Sequence, residues 1–159
     1  MIGQSLPARP AELRLDGVDP CTLLSAARRA KLGTSTGVSG ANTDEFGSTG
    51  CVWSGTSPGP DSSWIPKAIT GHGAEYALNS VTGAQVVAVS GFPAVQTTSN
   101  FVDPAHECLV FVYVAAGQSL SVEYVNRRGD YPGISHELAC QLVTTAATAM
   151  VTTLRTGAR

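Results

Sequence analysis

Glu107-Cys-Leu-Val-Phe-Val-Tyr-Val-Ala-Ala-Gly-Gln-Ser-Leu-Ser-Val-Glu-Tyr-Val125 decides the fold, because it sets two strong strand signals back to back. Leu109 to Val114 is an unbroken apolar run rich in β-branched and aromatic residues, which has few alternatives to a strand. In the second arm Leu120, Val122 and Tyr124 alternate with Ser119, Ser121 and Glu123, so that arm has one wet face. Between them Ala115-Ala116-Gly117-Gln118 supplies a short turn with a glycine able to take positive φ. The stretch reads as an antiparallel hairpin on which the rest of the chain packs.

Toward the C-terminus, Asn126 to Gly133 is a polar connection. Its Arg128-Gly129-Asp130 tripeptide reads as ordinary turn chemistry rather than an adhesion motif. Ser135 can cap a final helix with Glu137 in its first turn, and Cys140, Val143, Ala147, Met150 and Leu154 recur at helical spacing until Gly157. The opposite face, Thr144, Thr145, Thr148 and Thr152, is polar but uncharged.

Toward the N-terminus, Gln85 to Val89 is a strand, and Ser90-Gly91-Phe92-Pro93 interrupts it before Ala94 to Thr98 resumes as a second hairpin or a bent strand. Glu75 to Val81 is either a short helical turn or a loop. Cys51 to Ser54 is a short strand, and Trp64 to Ile69 is a second, which Pro66 pushes toward a sheet edge. Gly33 to Gly50 reads as a long loop. Asp19-Pro20 opens a helix of about three turns running to Gly33, with Asp as cap and proline at the first helical position. Up to Leu15, Pro7 and Pro10 without periodicity suggest an extended tether.

The expectation is therefore a flexible leader over 1–15 and a single α+β domain over 16–157. An antiparallel sheet of about five strands should carry the N-terminal and C-terminal helices on one face, since each helix has one apolar stripe to bury. A chain of 159 residues supports one such core.

Charged residues make up 14% of the chain and the formal net charge is −2, so nothing resembles a nucleic-acid footprint. Arg28, Arg29 and Lys31 read as cations at a helix C-terminus. No run approaches the ~18 apolar residues of a membrane span.

Four dispersed cysteines, Cys21, Cys51, Cys108 and Cys140, contain no Cys-x-x-Cys pair, which argues against a structural zinc site. Two disulfides in an oxidising compartment are the preferred reading, and four buried thiols the alternative. The hairpin favours one of the three possible pairings. Val125 returns beside Cys108 and a short loop leads on to Cys140, which leaves Cys21 for Cys51.

No nucleophile elbow, phosphate loop, dinucleotide fingerprint or zinc-protease motif is present, so no catalytic, cofactor-binding or metal residue is assigned. His72, His106 and His136 are the available bases, and His106 with Asp103 is the one conceivable hydrolytic pair.

Several features together resemble an actinobacterial family of secreted lipoproteins, domain of unknown function 3558. They are Asp19-Pro20-Cys21 with Leu23-Leu24, Gly50-Cys51-Val52-Trp53, Gly91-Phe92-Pro93-Ala94-Val95, Cys108 leading a strand that ends Ala116-Gly117-Gln118-Ser119-Leu120, and Ala139-Cys140. The resemblance implies an extracytoplasmic protein held to the outer face of the cytoplasmic membrane by a lipid on an N-terminal cysteine. That cysteine is not in this sequence, which is consistent with a truncated chain. The family brings no reaction and no catalytic residues. The expected role is non-enzymatic binding of a ligand or envelope protein. An accessory subunit of a membrane-associated complex is the alternative, and a hydrolase the third.

Overall fold

The computed structural model describes residues 5–34, 38–40, 48–55, 62–81, 83–98, 106–126 and 135–157. The central hairpin is present as β6 (Glu107–Ala115) and β7 (Gln118–Asn126), joined by a turn in which Gly117 takes φ +68°. Among the described residues they belong to a seven-stranded antiparallel sheet with β1 (Val38–Gly40), β2 (Ser48–Gly55), β3 (Ser62–Ile69), β4 (Gln85–Val89) and β5 (Phe92–Thr97). The order across the sheet is β1-β2-β3-β7-β6-β5-β4, which puts β7 at its centre. The sheet exceeds the five or so strands expected because the region read as a long loop contributes β1, and because β4 and β5 form a full hairpin.

That hairpin turns on Ser90 at φ +51° and Gly91 at φ +83°, with Val89 paired to Phe92. Two consecutive positive φ values match the right-handed twist of the flanking strands.

The first and last helices share one face of the sheet. Trp53, Trp64, Ala68, Leu120, Val122, Tyr124, Val110, Val112 and Phe92 project there against Leu23, Leu24, Val143, Ala147 and Met150. The last helix, α3 (His136–Thr156), lies over β6 and β7. It begins where Ser135 Oγ accepts from the Leu138 N–H and ends at the left-handed Gly157. The first helix is broken rather than continuous. Asp19 caps a 3-10 turn over Pro20–Thr22, and α1 (Ala26–Lys31) starts afresh where Ser25 Oγ accepts from the Arg28 N–H. A second cap inside the segment competes with helix continuation.

On the opposite face, the segment left open between turn and loop forms α2 (Ala74–Ser80). Its Ala74, Ala77 and Leu78 pack on Val95, with Phe111 and Tyr113 beside them.

β3 is interior, between β2 and β7, although Pro66 suggested an edge. Pro66 pairs with Val122 of β7, while the β2–β3 ladder has no registered pairs at Ile65 and Pro66. The interruption falls where proline has no N–H to donate.

The segment read as a tether is held at Leu6, Arg9, Glu12, Leu13 and Leu15, with the residues between them exposed. The Leu13 N–H donates to the Val114 carbonyl at 2.7 Å, and the Leu15 N–H donates to Gln118 Oε1 at 2.7 Å. Gln118 Nε2 in turn donates to Asp16, and Leu15 is 1% exposed. Leu6 packs beside Tyr113, over whose ring Arg9 lies. Among the described residues no helix is long and apolar enough to cross a membrane.

Candidate functional site

The disulfides join Cys21 to Cys51 and Cys108 to Cys140, with Cα–Cα separations of 5.3 and 5.0 Å. This is the pairing the hairpin geometry favours. The first pins the 3-10 turn to β2; the second ties the start of β6 to the second turn of α3.

His136 is the first residue of α3, and helical geometry puts its ring beside the side chain four residues on. Its Nδ1 lies 2.8 Å from the backbone carbonyl of Glu107. A carbonyl can only accept, so Nδ1 carries a proton and donates it. In the neutral ring Nε2 is then the acceptor, and it sits 3.5 Å from Cys140 Sγ. Cys108, His136 and Cys140 hold potential ligand atoms within 4.8 Å of one another. Because both sulfurs are joined in the disulfide, the trio does not constitute a metal centre in this state.

His136 and Cys140 line a cleft of about 810 Å³ between α3 and the β4–β5 edge. Gln85, Gln96, Thr97, Gln141, Thr144 and Thr145 supply most of its walls. These are uncharged donors and acceptors, with Glu137 the single carboxylate on the lining among the described residues. The cleft lies on the helix-bearing side of the sheet, because Gln96 and Ala94 are the residues of β5 that alternate onto that face. A smaller groove of about 520 Å³ runs between α1 and α3, bordered by Leu24, Arg28, Lys31 and Thr148.

On the other face Glu107, Glu123 and Lys67 form a polar patch within the sheet. Register places Glu107 opposite Val125 and Glu123 opposite Leu109, so the two carboxyls are diagonal neighbours. Burial first, and then the hydrogen bond and charge of Glu107, push Glu123 up to about 8, against the opposing pull of Lys67.

The remaining histidines are elsewhere. His72 stacks on Tyr76 with ring centroids 4.2 Å apart, and its carbonyl accepts from Ser119 Oγ. His106 immediately precedes β6, while Asp103 and the Arg128-Gly129-Asp130 turn lie outside the described residues. The association of His136 with Cys140 had a sequence signal, the His-x-x-x-Cys spacing on a capped helix. Its carbonyl partner comes from a residue 29 positions away and had none.

The sequence pattern of a family described as "Protein of unknown function (DUF3558)" matches residues 3–153. The chain belongs to this family. The DUF3558 match spans the leader, both disulfides, every strand of the sheet and the cleft. Leu15, buried at the end of the leader, falls within the matched region. No curated protein and no solved structure matches the chain.

Proposed function

We propose that this DUF3558 chain is an extracytoplasmic cell-envelope domain that binds a neutral, hydrogen-bonding ligand in the cleft between α3 and the β4–β5 edge, without turning over a substrate. The observation that carries the reading is the cleft's lining of glutamine and threonine side chains around about 810 Å³, a volume in the range of small-molecule sites. Such a wall offers many directional hydrogen bonds and little net charge, which suits amide or hydroxyl groups better than a phosphate or a lipid tail. The two disulfides support an oxidising environment. Lipid anchoring ahead of the domain belongs to the same proposal, and fatty-acid labelling of the native protein checks it.

The accessory-subunit reading called for a flat apolar patch. Among the described residues, the exposed large apolar side chains Val52, Val86 and Tyr76 give it little support, because Val52 and Val86 lie toward opposite edges of the sheet.

The test compares wild-type protein with a Gln85→Ala/Gln96→Ala/Thr144→Ala variant as baits in native envelope extract, with mass spectrometry of proteins and small molecules. A ligand retained by wild type and lost by the variant supports the cleft. Identical retention by both overturns it.

A further inference from the structure

We propose that the Cys108–Cys140 disulfide is a thiol-exchange site, at which His136 deprotonates an incoming low-molecular-weight thiol that then forms a mixed disulfide with Cys140. The proposal rests on the cleft being a ligand site and names the chemical class of ligand that its far end takes.

Three observations converge. Cys140 lines the cleft and is 7% exposed, whereas Cys108 is fully buried, so an approaching thiol meets Cys140. The attacking species in disulfide exchange is the thiolate, and an ordinary thiol of pKa ~8.5 is mostly protonated at neutral pH. His136 supplies a base beside the sulfur: its Nδ1 is held on the Glu107 carbonyl, and its ring lies against Cys140 Sγ, 3.5 Å from Nε2 and 4.0 Å from Nδ1. The nearby glutamines and threonines suit a thiol that carries amide groups.

The step balances within the site. The ligand thiol gives its proton to His136 Nε2, and its sulfur bonds to Cys140 Sγ as the Cys108–Cys140 bond breaks. The electron pair departs on Cys108 Sγ, which takes up the proton from the imidazolium. The three ligand atoms lie within 4.8 Å of one another, so that return is short. One S–S bond forms and one breaks, with no external oxidant or reductant.

Exposure alone argues for the other disulfide, since Cys21 is half-buried and more open than Cys140. That conflict makes the experiment decisive. Oxidised protein is incubated at neutral pH with N-acetylcysteinamide, an uncharged thiol, quenched with iodoacetamide and peptide-mapped by mass spectrometry. The expected result is an adduct on Cys140 with Cys108 alkylated, formed at least tenfold faster than Cys21–Cys51 opens. His136→Ala slows it tenfold or more and leaves opening of Cys21–Cys51 unchanged. Opening of Cys21–Cys51 first, or a wild-type rate in folded His136→Ala, overturns the proposal. If the variant does not fold, the comparison of the two disulfides in wild type decides alone. The S-methylated probe, which cannot exchange, separates the two readings: its occupancy of the cleft by NMR without exchange by the thiol overturns the exchange site and leaves ligand binding standing.

Discussion

Glu123 and Glu107 stand diagonally across the central hairpin, and burial together with the neighbouring carboxyl raises Glu123 from an ordinary 4.5 to about 8. The folded protein therefore holds a proton at Glu123 that the unfolded chain releases between those values. Stability from this group is fully present below about 4.5 and is lost as pH rises toward 8. Glu123→Gln should flatten the decline in melting temperature between pH 5 and 8.5 and be the more stable form at the upper end, by ~1–2 kcal/mol once partial solvent exposure is discounted. Parallel curves for the two proteins would place the proton elsewhere.

Leu15 is buried and its N–H is held by Gln118, so the end of the leader is part of the core. Leu15→Ala should cost ~2–4 kcal/mol in urea unfolding, and Gln118→Ala ~1–3 kcal/mol, because it strands a buried donor. Pro7→Ala, at an exposed position, should stay within ~0.5 kcal/mol. Equal, small effects for all three would return the segment to a tether.

The β4–β5 turn carries a serine in the left-handed region at φ +51°, followed by Gly91 at φ +83°. Ser90→Asn should raise stability by ~0.5 kcal/mol, since asparagine tolerates that conformation better. Gly91→Ala should lower it by ~1–2 kcal/mol. Nothing lies within 4 Å of a Cβ added at Gly91, so that loss would report backbone conformation rather than a clash. Thermal unfolding of both variants checks the pair.

Each disulfide closes a loop of similar size, with sequence separations of 30 and 32. Replacing either pair by serine should cost ~2–4 kcal/mol. Non-reducing peptide mapping should return Cys21 linked to Cys51 and Cys108 to Cys140; a peptide joining Cys21 to Cys140 would mean that the two helical segments are tied together instead.

The hairpin and α3 were legible because local signals agreed with the fold: strict alternation in Ser119–Tyr124, and Ser135 and Gly157 bracketing a helical stripe. The break in the first helix was harder to read, since Ser25 is as good a cap as Asp19 and spacing alone does not choose between one helix and two. The interior placement of Pro66 depends on which neighbour its missing N–H faces, and that is set by register with β7, a strand more than fifty residues later. The leader buries through single contacts to Val114 and Gln118, which leave no periodic trace. The cleft is a property of two distant segments, β4–β5 and α3, so its glutamines and threonines look like ordinary surface in sequence.

The strand order has a consequence for how the molecule is made. Among the described residues β7 is the last strand to be synthesised, yet it is the middle of the sheet, flanked by β3 on one side and β6 on the other. Until residue 126 is available, β1–β3 and β4–β6 are two separate groups of strands, each with an open edge. The chain therefore commits to its native topology late and through contacts distant in sequence, a route that is slow and leaves edges unguarded. Cys21 and Cys51 can join within the first group of strands, while the Cys108–Cys140 bond waits for the last helix, so the order of oxidation records the order of assembly.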